Sequence, residues 1–441
     1  MSEFTRRDAL KIGVGAAALG AGGTLIGGET AQAQATLSYK LEKGAALRVL
    51  RPSRFVQGDE TMWLENTKKY TQATGIEVKV ENEGWEDLRP KSAVAANVGK
   101  GPDVVFGWYD DAHQYPDKLL DLTDLGDYLD KKYGGWYDVC KKFGIRRGRW
   151  IALPLGAAGA RINYRQSALK EAGFDSWPND LPGMLKACQA LKAKGKPGGL
   201  ALGNAVGDGN TWCHWIVWAH GGRMVDDQDR VVINSPETVA ALEYTKQLYE
   251  SFVPGTLSWL DPANNKAFLD GQISWTINGI SIYYAAKNSQ DPAIKALAAD
   301  IEHAVLPVGP VGKPTELHLT VPAMVFKYTK FPNAAKDYIR FMFEREQYVP
   351  WQEASIGYFS QPLRAYEKSA IWTVDPKHTP FRDLMSRMQW PSYSGTLGYA
   401  SAAVLADFVM VNMVAQAASG AKSPKDAAAE AQKRAERYYR V

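Results

Sequence analysis

Several stretches of this chain set aromatic side chains next to acids or amides. Trp108-Tyr109-Asp110-Asp111 follows the apolar run Val104-Val105-Phe106. Gly207-Asp208-Gly209-Asn210-Thr211-Trp212 opens a segment that ends at Gly221-Gly222. Asn278, Ser281 and Tyr283 follow the run Ser274 to Ile277. Glu316 and His318 are two apart, so in an extended segment they share a face. Trp390 and Tyr393 precede a stretch that reads as one long helix, Ala400 to Ala418. Rings cover the flat C–H faces of a small molecule, while carboxylates, amides and imidazoles bond its hydroxyls. These residues are therefore the candidate ligand contacts. None is Arg or Lys. Such a lining suits a neutral polyhydroxylated ligand and repels phosphate or carboxylate. It also suits a cation, since rings and acids attract ammonium groups. The competing reading for each aromatic is plain core, and for Asp110-Asp111 a solvated turn.

Catalytic patterns are a poorer match. A glycosidase holds two carboxyl groups about 5–10 Å apart across the scissile bond, and the neighbours Asp110 and Asp111 do not offer that arrangement. No Gly-x-Ser-x-Gly elbow occurs. Cys213 and His220, seven apart, would share a helical face, but two ligands do not make a metal site. Gly203 to Gly209 lacks the Lys-Ser/Thr ending of a phosphate loop. The reading is of no catalytic residue, no metal and no cofactor. A secreted carbohydrate-active hydrolase is the alternative. Cys140, Cys188 and Cys213 are an odd set without Cys-x-x-Cys spacing, which predicts buried thiols rather than a disulfide framework.

The amino-terminal residues read as an address. Arg6-Arg7 precede the apolar run Ile12 to Ile26, and Ala31-Gln32-Ala33 and Ala33-Gln34-Ala35 fit a cleavage site. Paired arginines in this position predict a twin-arginine signal peptide over 1–35 and contact with the twin-arginine export machinery. No Cys follows to carry a lipid, so the expected product is free in the periplasm. Without the signal 406 residues remain, with a net charge still at +4. That length predicts two domains, and the small charge argues against nucleic acid as a partner. No later segment reads as a membrane span, and a monomer is expected.

These side chains need elements to position them. Leu47 to Leu50, Ile76 to Val80 and Val104 to Phe106 read as strands, with helices over Thr61 to Thr74 and Arg89 to Val98 between them. That order predicts an α/β fold with a parallel sheet, whose strand ends carry ligand sites. Ile151 to Tyr164 and the Pro/Gly-rich Val305 to Pro314 read as crossings between two such units. Ser235-Pro236 and Ser423-Pro424 read as helix starts. Asn210 or Thr211 would cap the helix leading to Gly221.

Taken in order, Gly101-Pro102-Asp103-Val104-Val105-Phe106, Trp150-Ile151-Ala152-Leu153-Pro154, Thr276-Ile277-Asn278-Gly279 and Ala417-Ala418-Ser419-Gly420 before the last helix carry a resemblance. The chain resembles the maltose-binding-type solute-binding proteins of ABC importers along most of its length. The resemblance implies a two-lobed periplasmic binding protein fold that closes by hinge motion around a ligand held between the lobes. It implies an amino-terminal lobe over 36–154 and 308–356 and a second over 155–307 and 357–441. It implies a sugar ligand and an ABC permease as partner. A sensor's binding module would use the same fold. It puts a Trp and an Asp against the ligand where Trp108-Tyr109-Asp110-Asp111 stands. The chain departs from the family at 207–212, which lacks the usual Glu-Pro-Tyr. It departs again at Ser281 and Tyr283, where the family has Trp.

Overall fold

Apolar strands from the first part of the chain pair with two from beyond residue 318 into one sheet. The computed structural model describes residues 37–440, and the expected signal peptide lies outside them. In chain order the strands are β1 (Ala46–Pro52), β2 (Glu77–Glu83), β3 (Val104–Phe106), β4 (Leu153–Ala158) and β5 (Arg161–Arg165). Then come β6 (Trp275–Asn278), β7 (Ile301–Ala304), β8 (Leu319–Val325) and β9 (Phe359–Ser360). A six-stranded sheet has the order β9-β4-β8-β3-β1-β2, and a three-stranded sheet the order β6-β5-β7. β1 is parallel to β2 and β3. Parallel neighbours need a crossover, which the helices Gln57–Thr74 and Trp85–Val98 provide. β8 runs antiparallel between β3 and β4.

The chain passes between the two sheets three times. The first passage is the short Gly159-Ala160 link between β4 and β5. The second joins β7 to β8 through 305–318. The third follows β9 and leads to the carboxyl-terminal helices. The single crossing expected over 151–164 is thus two strands with a tight link, and β4 spans the expected boundary between 154 and 155.

Each sheet organises its own apolar cluster. Around the larger sheet, Trp63 packs edge-on against Phe106 and Trp351 at centroid distances of 4.9 and 5.8 Å. Around the smaller one, Trp212, Trp215 and Ile216 pack with Met410, Val414, Ala428 and Ala431. Ser235 and Ser423 cap their helices as read, accepting from the Thr238 and Asp426 N–H at 3.2 and 3.1 Å. Cys140, Cys188 and Cys213 are buried and free.

Two expectations change here. The stretch 400–418 is two helices, Tyr399–Ala406 and Val409–Ala418, broken at Phe408, whose φ is +52°. By length and composition 399–418 is also apolar enough to cross a membrane, contrary to the reading above. The apolar character has a packing cause, since Val409, Met410, Met413 and Val414 lie in the second core.

Candidate functional site

Strand ends and helix starts from both sheets meet around one small enclosed cavity. It is lined from the larger sheet by Trp85, Ala158, Leu319 and Tyr358, and from the smaller side by Gly207, Asp208, Thr211, Asn278 and Gly279. Its volume is about 20 Å³, room for about one water. No arginine or lysine lines it.

Trp85 begins the helix after β2, at the carboxyl end of a parallel strand. Its indole N–H donates to the Ser53 carbonyl at 2.9 Å. Phe55 packs edge-on at 4.6 Å, and Trp108 lies under it, also at 4.6 Å and tilted by 43°. The Trp108 indole N–H in turn donates to the Trp85 carbonyl at 3.0 Å. Trp108 therefore supports the ring that faces the cavity and is itself fully buried.

Opposite stands the start of the helix Asp208–Ala219. Neither Asn210 nor Thr211 caps it. Asp261, which opens the helix Asp261–Leu269, reaches across and accepts from the Gly207 and Asp208 N–H groups at 3.0 and 2.7 Å. Asp261 thus meets the free donors of a helix start with a charge of the favourable sign. Glycine at 207 lets this approach stay close, since a Cβ there would stand 3.0 Å from both the Asp261 Oδ1 and the Trp85 ring and push one of them back. The Tyr109 hydroxyl bridges the two sides, donating to the Gly207 carbonyl at 3.2 Å with Thr211 Oγ1 at 3.3 Å. Tyr109 holds a φ of +43°, a backbone strain of the kind found at ligand sites.

The electrostatics of this pocket are those of acids without cations. Burial pushes the Asp208 carboxyl well above its ordinary value, the charge of Asp261 adds to that, and the Asn264 amide, donating at 2.6 Å, opposes it. Burial also pushes Asp261 up to about 6 against the two backbone donors, with Glu86 adding to the rise. The Tyr358 hydroxyl is pushed well up by burial and by the Asp208, Asp261 and Asp59 charges.

Of the residues singled out in the sequence, Asn278 lines the cavity, held by the Asn264 and Asn265 side chains. Ser281 sits behind it, accepting from Asn265 Nδ2 at 2.9 Å. Asp110 is fully buried beside the cavity's framework; Ser401 Oγ donates to its Oδ2 at 3.0 Å, and its Oδ1 has no protein partner. Burial, then the charge of Asp111, pushes Asp110 up to about 7. Asp111 is tied to Arg89 at 2.6 Å and to the Trp108 N–H at 3.0 Å.

Other expectations are corrected. Trp212 belongs to the second core, its N–H donating to the Ala201 carbonyl at 2.7 Å. Asn210 is buried within its helix and donates to the Val206 carbonyl at 3.1 Å. Tyr283 faces away from the cavity toward Asp375, to which its hydroxyl donates at 2.6 Å. Tyr393 stacks on the buried Trp218 at 5.2 Å, and Trp390 lies under Lys142 with its N–H on the Gly395 carbonyl. Glu316 and His318 do not face the cavity. They lie on the second passage, where Glu316 accepts from Arg161 at 2.8 Å, Arg387 at 2.9 Å and His318 Nε2 at 2.9 Å. His318 Nδ1 accepts from the Ala160 N–H at 3.1 Å, so the ring is neutral with its proton on Nε2. Burial would push Glu316 up, but Arg161, His318 and Arg387 outweigh it and hold the carboxyl well below its usual range.

The sequence reading missed Trp85, Asp261 and Tyr358. Trp85 carried a usable signal, since it follows a strand end just as Trp108 does.

Comparison with known proteins supplies the context. The family model for bacterial extracellular solute-binding proteins matches residues 65–380. A Deinococcus radiodurans protein named "Probable ABC transporter-binding protein" is 27% identical over 203 residues, which is 44% of this chain and 47% of that protein. The chain thus aligns with about half the length of that curated relative. Maltose-bound MalE3 of T. maritima superposes with a TM-score of 0.76 at 18% identity, over 89% of this chain and 99% of that one. An ABC transporter solute-binding protein of Agrobacterium vitis S4 with bound D-mannitol does so at 0.70 and 17% identity, over 89% and 98%. At these identities the superpositions establish the two-lobed fold.

Proposed function

The chain belongs to the bacterial extracellular solute-binding protein family, a family of binding proteins rather than enzymes, and from that premise we propose that it captures a neutral sugar or polyol between its lobes for an ABC importer. The observation that carries this is the lining of the enclosed pocket: a supported indole, a phenol, a carboxylate and an amide, with no basic side chain. Solute hydroxyls hydrogen-bond the Asp208 carboxyl, and the Trp85 ring covers a C–H face. The pocket as it stands admits about one water, so the solute enters by opening at the three passages and the lobes close over it. The larger sheet with 37–158 and 319–360 forms one lobe. The smaller sheet with the carboxyl-terminal helices forms the other. Export by the twin-arginine machinery, periplasmic residence and delivery to a membrane permease complete the reading. The match to an extracellular family supports residence outside the cytoplasm, the relative named as a transporter-binding protein supports the delivery, and the paired Arg6-Arg7 before an apolar run support the export route.

The acids favour a second reading, an ammonium-bearing solute, because Asp208 and Asp261 have no cation between them. Salt separates the two. Tryptophan fluorescence should report binding through Trp85. Affinity for a neutral polyol should change less than about threefold from 0.1 to 1 M salt, while the Debye length falls from about 10 to about 3 Å. A steep loss of affinity with salt would transfer the assignment to a cation.

A further inference from the structure

Asp110 stands where the two lobes meet. It lies on the turn after β3, on the side of the larger sheet, and is completely buried. Its side-chain partner comes from the other lobe. Ser401, in the first turn of the helix Tyr399–Ala406, places its Oγ 3.0 Å from Asp110 Oδ2. The same Oγ accepts from the Gly398 N–H at 3.0 Å and lies 3.0 Å from the Gly398 carbonyl. A hydroxyl has one proton, so it cannot donate to the carboxylate and to the carbonyl together. With Asp110 ionised, that proton goes to Oδ2, and Oδ1 stays a buried charged oxygen with no protein partner. With Asp110 neutral, its own O–H donates to Ser401 Oγ, whose proton then goes to the Gly398 carbonyl. The joint suits the acid better than the anion, because an unpaired buried charge costs more than an unpaired buried carbonyl oxygen.

The surrounding groups do not reverse this. Arg89, from the helix Trp85–Val98, spends its Nε on Asp111 at 2.6 Å and offsets the burial of Asp110 only in part. Asp111, next in the chain, adds a like charge. His113, on the same turn, is neutral, since burial pushes it down to about 4, and its Nε2 meets the Phe143 carbonyl at 3.0 Å. Tyr439, at the end of the last helix, is neutral too, its hydroxyl pushed up by burial and then by the Asp110 and Asp229 charges. β8 beside the turn carries no titratable side chain. When the lobes part, Asp110 regains water and the cost of its charge goes.

We propose that Asp110 is a proton-operated latch, on which the lobes close while it is neutral and from which they open as it ionises. This rests on the two lobes and the closure proposed above, but not on which solute they take. Closed, the carboxyl sits at about 7; opened to water, it returns toward 3.8. Closure therefore takes up a proton. Its gain is complete below about 4 and is lost as pH rises to about 7. Asp208 and Asp261 are raised in the same direction, so the test has to change Asp110 alone. Small-angle scattering of the protein without solute, from pH 5 to pH 8, reads the ratio of compact to extended molecules. That ratio should fall as pH rises, by up to about tenfold per unit. Asp110→Asn, neutral at every pH, should stay compact at pH 8 and lose most of the response. Ser401→Ala should be extended already at pH 5, and it decides should Asp110→Asn fail to fold. A parent radius that is the same at pH 5 and pH 8, a response kept in full by Asp110→Asn, or a Ser401→Ala protein as compact at pH 5 as its parent would each overturn the latch. Because no solute is present, a failed search for the solute counts against the sugar reading and not against the latch.

Discussion

Glu316 and Asp261 are buried and Asp208 is half-buried, and the protein treats Glu316 and the aspartate pair in opposite ways. Glu316 receives a guanidinium from Arg161 beside the first passage, another from Arg387 beyond β9, and an imidazole N–H from His318 on its own passage. Its carboxyl is held far down. Asp208 and Asp261 receive amide and backbone N–H donors only, and both are pushed up. A fully paired carboxylate is a fastening: its lone pairs are used, and it has none for a solute. An acid kept away from cations keeps acceptor capacity for hydroxyls. The contrast assigns Glu316 to holding the passages together and Asp208 to the ligand.

The largest expected effect breaks the fastening. Glu316→Gln leaves Arg161 charged and buried without its counter-charge, and loss of one partner of a buried pair costs about 3–5 kcal/mol. Denaturant unfolding measures this, and a loss below about 1 kcal/mol would make the cluster incidental. The tryptophans sharpen the same contrast. Trp212→Ala should cost about 3–5 kcal/mol of stability as a core truncation and leave the affinity of the folded protein nearly unchanged. Trp85→Ala should mainly reduce affinity. The reverse pattern would return Trp212 to the site.

Asp208→Asn separates stability from binding. It ends the repulsion with Asp261 and keeps an oxygen for Asn264, so stability should hold or rise. Affinity for the solute should fall at least tenfold, about 1.4 kcal/mol. A destabilised variant with normal affinity would make Asp208 a structural acid like Glu316.

Asp110 provides the smallest effect, visible as a slope. Its folded-state value is about 7, raised from 3.8. Between those values the unfolded chain ionises first, so the native state binds more protons and stability falls as pH rises, by up to about 1.4 kcal/mol per pH unit. Below about 4 and above about 7 this residue adds no slope. Asp110→Asn should therefore gain on the parent protein between pH 4 and 7 in thermal melts. Parallel curves across that window would contradict the burial argument.

How far the chain alone led follows from the range of each interaction. β1 to β3, their helices and the Ser235 and Ser423 caps were legible because alternation and capping are local. The helix 208–219 was legible too, but which of its side chains meet the cavity was not, because every residue from Gly209 to Ala219 is buried and the pattern shows no face. Trp212 and Trp85 then look alike in the sequence. Glu316 was misread because Arg161 lies 155 residues before it and Arg387 lies 71 after. The cap of the site helix was misassigned for the same reason, since Asp261 arrives from 53 residues beyond Asp208. Strand ends located the region; long-range partners decide which side chains within it are free.

The account's central claim is a neutral solute held by an uncompensated acid, and a thermal-shift panel on parent and Asp208→Asn protein tests it most directly. The panel holds maltose, laminaribiose, ribitol, D-mannitol and D-tagatose beside spermidine, each at rising concentration in 0.1 and 1 M salt. The account predicts that at least one neutral sugar or polyol raises the parent's melting temperature with saturation, equally at both salts, and that Asp208→Asn needs at least tenfold more of it. A shift produced by spermidine alone, and lost at 1 M salt, would contradict it.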